Sequence, residues 1–228
     1  MAAASPPRWR RRKDARPQEI LDAALAVFAD RGFAAASVEQ VAARAGISKG
    51  TLYLYFASKE ELFKAVVRAA IVPALEDAEI AADHDGPAMD ILERLVGGIA
   101  ARVLSSPAGV IPKLMIAESG NFPELARFYR DEVIRRALAL LTRVLDRGVA
   151  RGEFRPMDTA ATAPLVVAPL LMAALWRHSF ATLDDPAPSG HAIDPAAMVR
   201  MHLDHLRHAF GAVDPARTGD TPRTGDTP

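Results

Sequence analysis

Apolar residues recur at three- and four-residue spacing along most of the chain, and where the spacing breaks a proline, a glycine or a small capping residue stands at the break. Ile20, Leu21, Ala24, Val27 and Phe28 mark one face of a first helix, which Pro17 opens and Gly32 stops. Ser37 followed by Gln40 is a capping-box pair. It starts a short helix with Val38, Val41, Ala42 and Ala45 inward, ended by Gly46. Ser48 caps a third helix through Tyr55 that turns Leu52 and Phe56 inward, and Ser58 with Glu61 opens a fourth. That fourth helix runs from Lys59 to the Asp83 to Gly86 break, with a kink or an early end expected at Pro73. Further helices are predicted from Pro87 to Leu104, Pro107 to Glu118, Pro123 to Arg151 and Asp158 to Leu183. After a Pro- and Gly-rich loop from Asp184 to Ile193, Asp194-Pro195 caps a last amphipathic helix ending near Gly211. No stretch alternates with the period of a strand, so the fold class is all-α: an N-terminal three-helix helix-turn-helix domain joined to a larger helical domain.

The chain is 228 residues long, half apolar and a quarter charged, which suits a small module fused to a larger one and excludes wholesale disorder. Four segments are expected. Residues 1–16 form a flexible basic arm, 17–62 the helix-turn-helix domain, 63–212 the larger helical domain and 213–228 a disordered tail. In that tail Arg217 to Pro222 is repeated as Arg223 to Pro228. The formal net charge of zero conceals an asymmetry: residues 1–64 hold 11 basic and 7 acidic side chains, the remainder 17 and 21. The basic surplus is concentrated at Arg8, Arg10, Arg11, Arg12, Lys13 and Arg16, a charge run suited to phosphates. With no cysteine there is no disulfide, thiolate cluster or cysteine nucleophile. The longest uncharged run, Thr159 to Trp176, contains Pro164 and Pro169 and suits a helix buried on all sides better than a membrane span. Neither a membrane partner nor an export signal is expected.

Ser37 to Ala45 and Ser48 to Tyr55, joined by a glycine-containing turn, make a helix-turn-helix whose second helix enters the DNA major groove. Ser48, Lys49, Gly50 and Thr51 stand at its N-terminus, where short side chains allow close approach to base edges. Lys49 suits guanine and the Thr51 methyl suits thymine, while the Tyr53 and Tyr55 hydroxyls and Lys59 suit phosphates. Ser37 and Arg44 complete the candidate DNA-binding set on the preceding helix. Enzyme chemistry finds little support. There is no dinucleotide or phosphate-binding glycine loop, no nucleophile elbow and no H-E-x-x-H, so no cofactor is expected. His202, His205 and His208 recur every third residue on the last helix, a spacing open to a metal but more often solvated or packed, and no metal is assigned to them. An all-helical enzyme with an incidental helix-turn-helix is the alternative reading, separated from the first by salt-dependent duplex binding.

The run from Ile47 to Phe63, ISKGTLYLYFASKEELF, resembles nearly residue for residue the recognition-helix signature of TetR/AcrR-family transcriptional regulators. Gly32-Phe33, Ser37-Val38 and Val41 to Gly46 extend the resemblance over Pro17 to Val66. Glu118, Phe122 to Leu125 and Phe128-Tyr129, within Ile111 to Pro156, resemble the C-terminal domain of the AefR-like branch. The resemblance implies a cytoplasmic, homodimeric DNA-binding regulator that is usually a repressor, released from a palindromic operator by a small effector bound in the larger domain. For that pocket Met115, Glu118, Phe122, Tyr129, Met172, Trp176 and Phe180 offer apolar and aromatic walls with one acid, a mixture suited to a hydrophobic or amphipathic effector. The apolar excess of Thr159 to Trp176 and of Met198, Met201, Leu203, Leu206 and Phe210 is expected to pair with its two-fold mate in a four-helix interface.

Overall fold

The computed structural model describes residues 8–181 and 194–211, and among these residues ten α-helices and no strand are found. They are α1 (Arg8–Ala35), α2 (Val38–Arg44), α3 (Lys49–Tyr53), α4 (Lys59–Ala82), α5 (Ala88–Ser105), α6 (Ile111–Glu118), α7 (Pro123–Tyr129), α8 (Arg135–Ala150), α9 (Thr159–Ser179) and α10 (Pro195–Phe210). The helix starts follow local chemistry. Ser37 accepts from the Gln40 amide at 3.3 Å while the Gln40 side chain accepts from the Ser37 amide at 3.0 Å. Ser48, Ser58 and Asp158 each accept from the amide three residues on, at 3.0, 3.2 and 2.9 Å. Each cap satisfies a donor that the helix leaves without a partner, an effect of about 1 kcal/mol. Gly46, at φ 66°, ends α2 in the left-handed region that a side chain would strain.

Four elements differ from expectation, each for a physical reason. The first helix begins at Arg8, so the residues from Arg8 to Arg16, expected as a flexible arm, lie on α1. Arg, Lys and Ala are strong helix formers, and Pro17 removes one hydrogen bond without providing a stop. Gly32, at φ 77° and ψ 164°, breaks the helical backbone where the sequence places the stop, and a short last turn follows to Ala35. α4 continues through Pro73, because Ala69 and Pro73 are both exposed and the carbonyl that proline cannot serve is left to water. The predicted Pro123 to Arg151 helix is interrupted by a π turn over Arg130–Ile134, and Pro107–Val110 forms a 3-10 turn before α6, at 83° to α5. The Asp184 to Ile193 loop and the 213–228 tail lie outside the described residues.

Two cores hold the helices together. The first joins α1, α2 and α3 to α4 and extends into α6 and α7. At its centre Phe28, Phe33 and Phe63 pack with ring centroids 5.2 to 5.6 Å apart. The second is built from α5, α8, α9 and α10 with the end of α4. His202 is buried there and its Nε2 lies 2.8 Å from the Val166 carbonyl, tying α10 to α9. Among the described residues no group of three candidate metal ligands comes together. The expected pairing of Leu206 and Phe210 with a second subunit is corrected here: both are buried within their own chain. They share one stripe of α10 with His202 that faces α5 and α9, whereas Met201 points outward and is 56% exposed.

Candidate functional site

α2 and α3 meet across the Ala45 to Ser48 turn and lay α3 along the outside of the first core, anchored by the fully buried Leu52. Ser48, Lys49, Gly50, Tyr53, Leu54 and Tyr55 are exposed together at one end of the molecule, with Thr51 half-buried among them. A side-chain carbon at Gly50 would have 3.9 Å to its nearest neighbour, the Ser48 hydroxyl, so glycine leaves the surface low enough for close approach. The Ser48 and Thr51 hydroxyls lie 2.8 Å apart and brace the first turn. Lys49 pairs with the Glu39 carboxylate of α2, and its Nζ lies 5.8 Å from the Tyr53 ring centroid. The hydrogen bond from Lys49 holds the Glu39 carboxyl down at about 2 and pushes the lysine up, so both stay charged at any working pH. Both groups are exposed, so the pair adds little to stability. Arg44 is exposed and 3.5 Å from Asp30, and Ser37 serves its own cap.

Lys59 departs from its expected role. Its Nζ donates to the carbonyls of Phe33, Ala34 and Ala36 at 2.8, 3.1 and 3.0 Å and lies 4.5 Å from the Phe33 ring centroid. Three donors meet three acceptors, so the ammonium closes the C-terminal end of α1 and is not free to clamp a phosphate. Leu54, 84% exposed beside the two tyrosines, is a candidate DNA contact that sequence reasoning missed. Its signal was the apolar residue left over once Leu52 and Phe56 were assigned inward.

A cavity of about 1140 Å³ lies between α4, α5, α6, α7, the π turn, α8 and α9. Met115 and Tyr129 line it as expected. Tyr129 is buried, its phenol pushed up by desolvation, and its hydroxyl makes no hydrogen bond among the described residues. The other five expected wall residues are elsewhere. The Glu118 carboxylate accepts from the Ala34 amide at 2.9 Å, and Phe122 packs edge-on against Phe33 at 4.8 Å, so both face the helix-turn-helix domain. Met172, Trp176 and Phe180 are 62%, 41% and 55% exposed, outside the cavity. α9 sends Val166, Leu170 and Ala173 into the second core, which turns Met172 and Trp176 outward. Unforeseen members of the wall are Arg94, Gly98 and Arg102, one stripe of α5 at four-residue spacing.

Two family models match separate stretches of the chain. A model of bacterial regulatory proteins, tetR family, matches residues 20–66, and one of a tetracyclin repressor-like C-terminal domain matches residues 83–188. The uncharacterized HTH-type transcriptional regulator YfiR of Bacillus subtilis is 30% identical over 161 residues, covering 69% of this chain and 77% of that protein. This chain belongs to the TetR family. As a TetR-family protein it is a DNA-binding transcriptional regulator and not an enzyme. The HTH-type transcriptional repressor KstR2 of Mycobacterium tuberculosis (strain ATCC 25618 / H37Rv) is 28% identical over 144 residues, covering 63% of this chain and 71% of that protein. The fold is shared with FadR from Bacillus subtilis, solved in complex with stearoyl-CoA, at a TM-score of 0.65 and 20% identity, over 84% of this chain and 98% of that one. The C-terminal match carries a general tetracyclin repressor-like description, and the AefR-like resemblance stays an expectation.

In this TetR-family chain the helices that enclose the cavity and the DNA-facing helices share contacts. Besides Glu118 and Phe122, Arg68 of α4 lies 3.2 Å from Glu132 of the π turn and 4.8 Å from the Phe128 ring centroid. Arg136 of α8 grips Glu79 of α4 in a bidentate pair at 3.1 Å. α6, α7 and the π turn are therefore in direct contact with α1 and α4.

Proposed function

We propose that the chain is a cytoplasmic, homodimeric repressor that leaves a palindromic operator when a small hydrophobic or amphipathic effector fills the cavity. The observation that carries this reading is the placement of the cavity: one of its walls is α4, and the other end of α4 lies in the core of the helix-turn-helix domain. Residues 17–62 read DNA and residues 63–212 sense and dimerise. Within the reading surface Lys49 and Thr51 serve base edges, Tyr53 and Tyr55 serve phosphates, and Leu54 supplies an apolar contact. Dimerisation uses the outer face of α9, where Leu165, Met172 and Trp176 are exposed, continued by Met201 of α10. An effector that favours a spacing of the recognition helices unsuited to DNA weakens operator binding by the same factor by which DNA weakens its own, typically about 1–3 kcal/mol.

Duplex-binding titrations test the assignment of roles. Lys49→Ala should cost about 1–3 kcal/mol on operator DNA and relax preference at one position, while Tyr53→Phe should weaken all duplexes alike. Equal, sequence-independent losses for both would remove Lys49 from base readout. Deleting residues 1–16 should flatten the dependence of affinity on salt, since each basic residue that neutralises a phosphate releases counterions on binding. An unchanged slope would show that the basic run at the start of α1 does not touch DNA.

A further inference from the structure

The charged and polar groups around the cavity are unequally partnered. Arg127 is paired with Glu124, and Arg130 with Asp131. Arg94 and Arg102 make no ion pair among the described residues, and Asp77 is the one carboxylate among the described lining residues. The Ser119 hydroxyl is already spent on the Ile116 carbonyl at 3.3 Å, whereas the buried Tyr129 hydroxyl has no partner among the described residues. Two guanidinium groups and a phenol thus offer donors against a single acidic side chain, so an acceptor-rich, negatively charged group complements the lining. Arg94 and Arg102 are separated along α5 by Gly98, where an added side-chain carbon would meet nothing within 4 Å. That bare stretch of helix leaves room for a head group between the two arginines. The remaining wall is aliphatic, with Leu75, Leu95, Ile99, Met115, Val133 and Leu141 among its members and Tyr129 its one aromatic ring among the described residues. About 1140 Å³ is larger than most small-ligand sites, which run to about 1000 Å³, and suits a flexible chain better than a single ring.

We infer that the effector is an amphipathic anion, an aliphatic chain lying in the apolar chamber with its acidic head group held by Arg94 and Arg102 across Gly98. The inference rests on the reading of the cavity as the effector site and adds the charge and chain character of what fills it. A carboxylate and a phosphate-bearing head share the required chemistry.

Calorimetric titration of the full chain with laurate, lauroyl-CoA, dodecanol and dodecyltrimethylammonium, all below their micelle concentrations, separates the possibilities at matched chain length. Laurate or lauroyl-CoA should bind on the order of tenfold to a hundredfold tighter than the neutral and cationic probes, the range of two charge-assisted contacts. Preference for lauroyl-CoA over laurate would assign the arginines to phosphate, and the reverse to carboxylate. The double variant Arg94→Gln, Arg102→Gln should reduce anion binding to the dodecanol level and leave dodecanol itself unchanged. Gly98→Leu replaces a helix-interior glycine facing open space, so it should fold at least as well as the parent and lose the anion. Equal binding of all head groups, abolished by Gly98→Leu, would overturn the anionic assignment and leave the cavity as the effector site. Binding indifferent to Gly98→Leu would overturn both, and failure of every probe to bind would overturn the amphipathic-anion assignment.

Discussion

Met172→Glu should dissociate the dimer and abolish operator binding while leaving the helical content of each subunit intact. Met172 is 62% exposed at the middle of the outer face of α9, between Leu165 and Trp176, and none of the three is needed by the core of its own chain. In a two-fold interface the substitution appears on both subunits, so two glutamates are buried at once. Two desolvated like charges cost roughly several kcal/mol, enough to undo association of a marginal interface. A lone subunit offers one recognition helix to a site that needs two, so duplex binding falls to the nonspecific level. Leu206→Glu makes the contrast: Leu206 is buried in its own chain, so that substitution should unfold the second core before it touches the dimer. Sedimentation equilibrium with circular dichroism checks the pair. A Met172→Glu protein that stays dimeric would move the interface off this face of α9.

Phe33→Ala is expected to cost about 3–5 kcal/mol of stability, the range for emptying a buried phenylalanine site. Phe33 is fully buried and stands where the two halves of the chain meet. It touches Phe28 of α1, Phe63 of α4, Phe122 at the start of α7 and the Lys59 ammonium. Phe33 directly follows the kink at Gly32, and the next residue, Ala34, is held by Glu118. Loss of the Phe33 ring should also uncouple the halves, so that urea denaturation resolves into two transitions with the DNA-binding half melting first. A single transition shifted by less than about 1 kcal/mol would show that the aromatic cluster is not what joins them.

What was legible in the sequence was what is decided locally. Ser37 with Gln40 and Ser58 with Glu61 fix helix starts through contacts three residues apart: the first pair forms in both directions, whereas at the second Ser58 accepts from the Glu61 amide and the Glu61 side chain turns to Lys64. The exposed cluster from Ser48 to Tyr55 was equally visible, since the inward spacing of Leu52 and Phe56 leaves the rest outside. Lys59 was misplaced because its partners are carbonyls more than twenty residues away, at a helix end bent by the Gly32 kink. Glu118 and Phe122 have the composition of pocket residues, but the bend between α5 and α6 turns them toward α1. On α9 the difficulty is different. The helix is apolar on every side, so its periodicity does not say which face meets the cavity, the core or a second subunit. Arg94 and Arg102 stand on one face by their spacing alone, yet the cavity opposite them exists only in the folded chain.

Selection of bound duplexes from a random pool by the full-length protein tests the central claim most directly. The expected result is enrichment of one inverted repeat with half-site centres about one helical turn, roughly 10–10.5 base pairs, apart, bound by two subunits with strongly salt-dependent affinity. Enrichment of an unpaired half-site bound by a single subunit, or of no sequence at all, would contradict it.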